Sequence, residues 1–245
     1  MRALYDTIGV DYANLRRPDP RIAAMIEDAL GDARSVLNVG AGAGSYEPAG
    51  RKVSALEPSR ELIAQRPADP APVVEGTAEA LPFADDSFDA AMAVLTVHHW
   101  TDPAQGLAEM RRVARHRAVI LTFDPAARGS WQLDYWSGLA RLDDEQMPPI
   151  DVYEAALGPV DIRPVPIPHD CSDGFLYAYW RRPRAYLDPQ IRKGISSFWK
   201  IDGVEDGLAR LEADLDSGAW EQKYGELLGH AAWDHGYRLV VADFG

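Results

Sequence analysis

The sequence predicts an α/β chain built on a mainly parallel sheet, and three observations predict it. Continuous apolar runs at residues 36–39, 53–56, 90–95 and 118–123 read as strands buried on both faces, the pattern of a parallel sheet. Stretches with helical spacing fit between them. The first run leads into Asn38-Val39-Gly40-Ala41-Gly42-Ala43-Gly44, and the second ends on Glu57. A glycine turn after one strand and a carboxylate closing the next is the layout of a sheet edge that holds an adenosine.

The elements follow in order. Residues 19–30 carry Ile22, Met25, Ile26 and Leu30 at helical spacing, with Asp19-Pro20 as the start. Between Gly44 and Val53 at most about two helical turns fit, and Pro48 and Gly50 lie inside, so the first crossover helix is expected to be truncated. Residues 59–65 and 102–114 read as the next helices, the second with Leu107, Met110 and Val113 on one side. Residues 131–157 are mixed and helical. The proline-punctuated run 160–167 fits an edge strand, and 237–242 a final strand. Some seventy residues, 168–236, separate those two strands, with helical patterns at 189–199 and 204–215 and many aromatics. Ordered insertions of that length are more often functional than filler, so 168–236 is expected to form a helical cap over an acceptor pocket. The remaining core is 1–167 plus 237–245, with 1–30 as an N-terminal helical lid.

Composition sets the outer bounds. The 245 residues, 47% of them hydrophobic, suffice for one sizeable core. No run approaches the roughly 20 apolar residues that span a bilayer, and the first residues lack a hydrophobic signal core, so a cytoplasmic location is expected. The single cysteine, Cys171, excludes an internal disulfide and a multi-cysteine metal site, and no metal ligand set is expected. A formal net charge of -13 argues against nucleic acid and against an anionic membrane as partner.

The glycine spacing decides which adenosine. A dinucleotide fingerprint counted from Gly40 needs its third glycine at position 45, where Ser45 stands, and the glycine comes one residue early at Gly44. No lysine follows at phosphate-loop spacing. Gly-x-Gly-x-Gly after a strand resembles the first motif of the class I S-adenosylmethionine (AdoMet)-dependent methyltransferases. Gly76-Thr-Ala-Glu79-Ala-Leu-Pro82-Phe83, followed by the acidic turn and Ser87-Phe88-Asp89, resembles the type 11 subfamily, as do the strand 90–97 with its His98-His99-Trp100 exit and the segments 109–113 and 118–123. The resemblance covers residues 36–123 in the right order and weakens after about Pro125. It implies a Rossmann-like, mainly parallel seven-stranded sheet whose last strand runs antiparallel. The chain departs from the family at Asn38, where Asp or Glu is usual, and at Thr77, where Asp is usual.

The resemblance implies an AdoMet site. Its residues here would be Tyr12, Arg17, Asn38, Gly40, Ala41, Gly42, Gly44, Glu57, Pro58, Thr77, Ala78, Glu79 and Leu95. Glu57 would accept hydrogen bonds from the ribose hydroxyls, the 77–79 turn would flank the adenine, and Tyr12 with one of Arg16 and Arg17 would bind the methionine carboxylate. His98, at the carboxyl edge of the fourth strand, and His169, after the sixth, are the candidate general bases, because a free imidazole titrates near neutrality. Adjacent residues point apart, so one of His98 and His99 is expected to face the pocket. The function implied is methyl transfer by in-line displacement to a small-molecule acceptor. The alternative is an AdoMet-binding protein of the same fold with a non-methylating or regulatory role. A nicotinamide-dependent oxidoreductase is disfavoured by the glycine spacing and by the lack of a Tyr-x-x-x-Lys pair.

Overall fold

The structure is a computed structural model that describes residues 15–68 and 70–245. Its centre is a seven-stranded sheet of β1 (Ser35–Val39), β2 (Lys52–Glu57), β3 (Val73–Glu75), β4 (Phe88–Val94), β5 (Ala114–Phe123), β6 (Val160–Pro164) and β9 (Tyr237–Asp243), in the order β3-β2-β1-β4-β5-β9-β6. β9 pairs antiparallel with both β5 and β6, while the pairs among the first five strands are parallel. The proline-bearing β6 lies at the edge, where Pro164 closes it without removing an interior ladder bond. The remaining strands, β7 (Ile167–Pro168) and β8 (Ala232–Trp233), form a separate two-stranded ribbon.

Alternation along the strands divides the core in two. Val36 of β1, with Met92, Val119 and Leu121, faces one layer. Leu37 and Val39, with Ala91, Ala93 and Ile120, face the other, where Leu107, Met110 and Val113 of helix α3 (Pro103–Val113) cover them. Helix α1 (Pro20–Leu30) packs on the first face through Ile22, Ile26 and Leu30; Asp19 caps it by accepting from the Arg21 amide, and Pro20 occupies its first turn. Helix α2 (Arg60–Ala64) is a short turn capped by Ser59. No helix forms between β1 and β2, only turns, as the prolines and glycines there dictate.

The first-face layer also contains the segment after β5 and much of residues 168–236. Helix α4 (Gly138–Gln146) and a later helix, Val204–Ser217 (α6), are its longer members, whereas α5 (Ile150–Leu157) packs on the second face beside α3 through Tyr153 and Leu157. Trp131, Trp136, Trp180, Tyr186 and Trp220 belong to the same buried cluster as the sheet residues Val36, Met92 and Leu121. Trp131 meets Trp220, Tyr135 and Tyr186 edge to face at 5.5–5.7 Å, a geometry that suits ring quadrupoles. Residues 168–236 therefore share the sheet's core. The helical reading of 189–199 needs correction: helix covers only Pro189–Lys193, then a single tight turn Ser196–Trp199. Gly194 breaks the run where a Cβ would sit 3.0 Å from the Leu15 Cβ.

Candidate functional site

The sheet order reverses between β1 and β4, so the loops leaving their carboxyl ends diverge and open a crevice. A cavity of about 1050 Å³ fills it. Its floor is the turn after β1. Gly40, Gly42 and Gly44 all have positive φ (70°, 54° and 92°). A Cβ on Gly40 would lie 2.2 Å from Thr96 Oγ1, so glycine there lets the turn pack on the β4 exit. A Cβ on Gly42 would meet only Leu62 Cδ1, at 3.9 Å, and the residue lines the open cavity.

Glu57 ends β2 beside this turn. It is buried, 5% exposed, and its Oε2 accepts from the Gly42 amide at 2.8 Å while Oε1 accepts from the Ser59 amide at 2.9 Å. The two amides fix the carboxylate in place on the wall of the cavity. Asn38, 1% exposed, donates to Glu47 Oε1 at 3.3 Å. Glu47 takes two bonds from Arg66 Nη2, at 2.7 and 2.9 Å, and Arg66 Nη1 reaches the Gly42 carbonyl at 3.4 Å. This buried chain holds the glycine turn in one conformation. Glu47 and Arg66 were not legible as site residues, because nothing in their spacing links them to the turn.

The opposite wall comes from the β3 and β4 exits. Thr77, Ala78 and Glu79 line the cavity. Burial opposes ionisation of Glu79, but bonds from its own amide, Asp102, Thr77 and Thr101 outweigh it and hold the carboxyl below its ordinary value. Its Oε1 accepts from the Thr101 amide at 2.7 Å and the Asp102 amide at 3.2 Å, tying this turn to the loop after β4. Leu95 adopts a positive φ of 51°, a strained conformation for a branched side chain, and lines the cavity. Its amide donates to the Leu121 carbonyl at 2.8 Å, which pins the strained residue to β5.

Several expected residues sit otherwise than predicted. Both His98 and His99 line the cavity, their ring centroids 3.9 Å apart, because a tight turn at Val97–His99 replaces strand alternation. Burial, with Lys200 and Arg16 nearby, pushes the His98 imidazole down to about 3, so it is neutral at physiological pH and a poor proton acceptor. His169 does not line the cavity; its amide donates to Ala231 in the ribbon that carries this segment away from the crevice. Arg17 is exposed and off the lining, whereas Arg16 faces it. Arg16 Nε donates to Asp173 Oδ1 at 2.6 Å, and the hydroxyl of Tyr46 donates to Asp173 Oδ2 at 2.9 Å. Asp173, 1% exposed, thus aims the arginine. Gly44 shapes the turn against the Arg66–Glu47 pair without lining the cavity. Asn38, Gly40, Ala41, Gly42, Glu57, Pro58, Thr77, Ala78, Glu79 and Leu95 all line it. Tyr12 lies outside the described residues.

The far wall is supplied by Gln146 and by Lys200, whose Nζ donates to Gln146 Oε1 at 2.7 Å. Beyond Arg16, Leu95 and His98 a smaller recess of about 60 Å³ continues from the cavity. Its walls are Phe123, Phe175, Tyr177 and Tyr237, with Asp143 and Met147 from the region of α4 and residues 194–197. Phe123 and Tyr177 stack at 5.6 Å, and Tyr177 stacks on His235 at 5.2 Å. Asp143 was missed. A carboxylate four residues after Leu139 and one after Leu142 falls on the apolar side of its helix, and that was the signal available.

Comparison with known proteins places this geometry. A family model described as a methyltransferase domain matches residues 37–122. The crystal structure of a candidate methyltransferase from an antibiotic biosynthesis pathway of Anabaena variabilis is 35% identical, with a TM-score of 0.88, covering 95% of this chain and 100% of that one. The demethylmenaquinone methyltransferase of Renibacterium salmoninarum is 33% identical over 127 residues, 48% of this chain and 54% of its own length. YcgJ, an uncharacterised methyltransferase of Bacillus subtilis, is 30% identical over 134 residues, 50% of this chain and 51% of its own. The match spans about half the length of these two curated relatives.

Proposed function

The chain belongs to the class I AdoMet-dependent methyltransferase family, and from that premise we propose that it binds AdoMet in the 1050 Å³ cavity and transfers its methyl group to a small-molecule acceptor. The observation that carries the proposal is Glu57, a carboxylate buried at 5% exposure, fixed by the Gly42 and Ser59 amides and lining the cavity at the end of β2. A carboxylate so fixed is suited to accept from the two hydroxyls of a cis-diol. The bare main chain at Gly42 leaves the space beside the carboxylate for the ribose. The 77–79 turn suits the flat adenine edge, and Arg16, aimed by Asp173, suits the methionine carboxylate.

When bound, the sulfonium supplies an electrophilic methyl carbon and needs no enzyme nucleophile. What remains for the protein is geometry and water exclusion. Leu95 and His98 line both the nucleoside cavity and the recess, where they set the angle at which an acceptor approaches. Residues 168–236 act in this reading as the cap of the acceptor side, through Lys200 and the 194–197 turn. No helix among the described residues is long and apolar enough to cross a membrane.

Calorimetry with AdoMet and with S-adenosylhomocysteine tests the proposal. Binding of both, with NADH inert, supports it; absence of heat with either nucleoside overturns it. Mass-shift screening of acceptors with the AdoMet-loaded protein then separates transfer from binding alone.

A further inference from the structure

The recess beyond His98 has a feature that the nucleoside site does not use. Asp143 is 5% exposed and lines the recess, and its carboxylate has no hydrogen-bond partner among the described residues. The neighbouring cation does not serve it: Arg128 pairs with Asp144. A carboxylate largely withdrawn from water with no protein partner is costly, and a donor bound in the recess would offset that cost. The surrounding walls are aromatic: Phe123, Phe175, Tyr177 and Tyr237 line the recess. Phe123, Tyr177 and His235 are stacked on one another, which makes this lining rigid. An aromatic lining of this kind suits an aromatic ring through edge-to-face or offset contacts.

Charge narrows the ligand further. Arg16 lines both the recess and the cavity, and Lys200 lines the cavity, so a ligand passing between them meets positive charge. A cationic acceptor is opposed on that path. A neutral ring bearing a hydroxyl is not, and its O–H is the donor Asp143 lacks.

We propose that the recess is an acceptor subsite for a flat phenolic or enolic ring, and that Asp143 accepts the hydroxyl proton of that ring during transfer. The inference rests on the methyltransferase reading above. In the step, the hydroxyl oxygen forms its bond to the methyl carbon as the carbon–sulfur bond breaks, and the electron pair of that bond stays on sulfur. The proton passes from oxygen to the Asp143 carboxylate. Sulfonium and carboxylate charges are both cancelled, and the products are a methyl ether, a neutral thioether and a protonated Asp143 that returns its proton to water. Burial, opposed by Arg128 and aided by Asp144, raises the carboxyl to about 7, where a base is best matched to neutral pH. The other titratable groups facing it are Tyr177, Tyr237, His98 and Arg16.

The test is calorimetric titration of S-adenosylhomocysteine-loaded protein with phenol, anisole and benzylammonium. Phenol should bind at least tenfold tighter than either analogue, and Asp143→Asn and Asp143→Leu should each weaken phenol tenfold or more without changing nucleoside affinity. Equal binding of anisole, preference for benzylammonium, or unaltered phenol affinity in both variants overturns the assignment. Should neither variant fold, infrared difference spectra of the wild-type protein decide: phenol must perturb a protonated-carboxyl band, and no change overturns the assignment. Failure of S-adenosylhomocysteine to bind sinks the methyltransferase reading instead. The phenol titration is then run on the unloaded protein, and binding there upholds the subsite independently.

Discussion

At the glycine end of the crevice the wall is main chain, and the carboxylate that shapes it has both oxygens bonded to backbone amides of the adjoining turns. At the recess the wall is side chains drawn from β5, α4, the 175–177 and 194–197 segments and β9, and its carboxylate is bonded to nothing described. The first region is built by residues at most about twenty apart in sequence; the second gathers residues over a hundred apart. On the proposed reading, local construction fixes the nucleoside end, whereas the gathered side chains are free to differ and so set the acceptor.

The sharpest way to break this contrast is at Gly42. Gly42→Val puts branched carbon where the cavity is open, while its nearest neighbour is Leu62 Cδ1 at 3.9 Å. S-adenosylhomocysteine affinity should fall by more than about 100-fold, roughly 3 kcal/mol, while stability falls only by the strain of a branched residue at a φ of 54°, about 1–3 kcal/mol, with the native near-UV circular dichroism retained. Gly40→Val should act differently, since its Cβ would collide with Thr96 Oγ1 at 2.2 Å. That variant should lose stability along with affinity. If Gly42→Val binds the nucleoside normally, the glycine turn is not the site.

Glu57→Gln comes next. The amide must present an NH2 to one of two backbone amides, and it offers one fewer strong acceptor to the ligand. Removing a charged hydrogen-bond partner costs roughly 1.5–3 kcal/mol, so affinity should drop by about 10- to 150-fold. Unchanged affinity would mean that the ribose is bound elsewhere.

Much of the first region was legible in the sequence for a physical reason. Short continuous apolar runs bounded by turn residues suit strands covered on both faces, and glycines at alternate positions after one of them suit a tight turn with bare main chain. The edge placement of β6 followed from its prolines. The second region was not legible in the same way. Asp143 reaches the recess only because the layer holding α4 folds across the sheet, and periodicity carries no information about that distance. Arg16 was distinguishable from Arg17 only through its buried partner Asp173, far along the chain. His169 was placed by assuming that the chain leaves β6 over the crevice, whereas the β7–β8 ribbon takes it aside.

Asp143 gives the comparison a pH signature. Its carboxyl is raised from 3.8 to about 7 in the folded protein, so between those values the native state holds a proton that the unfolded chain has released. The native state binds more protons there, and this group's contribution to stability falls as pH rises from about 4 to 7, then stays level. Asp143→Asn removes that slope. The variant should be more stable than wild type at pH 8, by roughly 2–4 kcal/mol in urea denaturation, and the gain should vanish near pH 4. The low values of His98 and His235 act oppositely, costing stability as pH falls below about 6.5, but they are common to both proteins and cancel in the difference. A constant offset across the range would mean that the carboxyl finds a partner in solution.

The smallest effects should come from the histidines, and they sharpen the contrast by their sizes. His169→Ala removes a half-buried ring that touches neither cavity, while the backbone bond to Ala231 survives. Stability should change by less than about 0.5 kcal/mol and nucleoside affinity by less than twofold. His98 lines both cavities, yet at about 3 it carries no charge over the working range. Nucleoside affinity of the wild-type protein should therefore show no step near pH 6.5, where an ordinary imidazole titrates. Such a step, if it disappeared in His98→Gln, would mean that the ring is solvated and charged in the free protein. It would then compete with Asp143 for the role of base, and the recess would have two proton acceptors where the structure provides one.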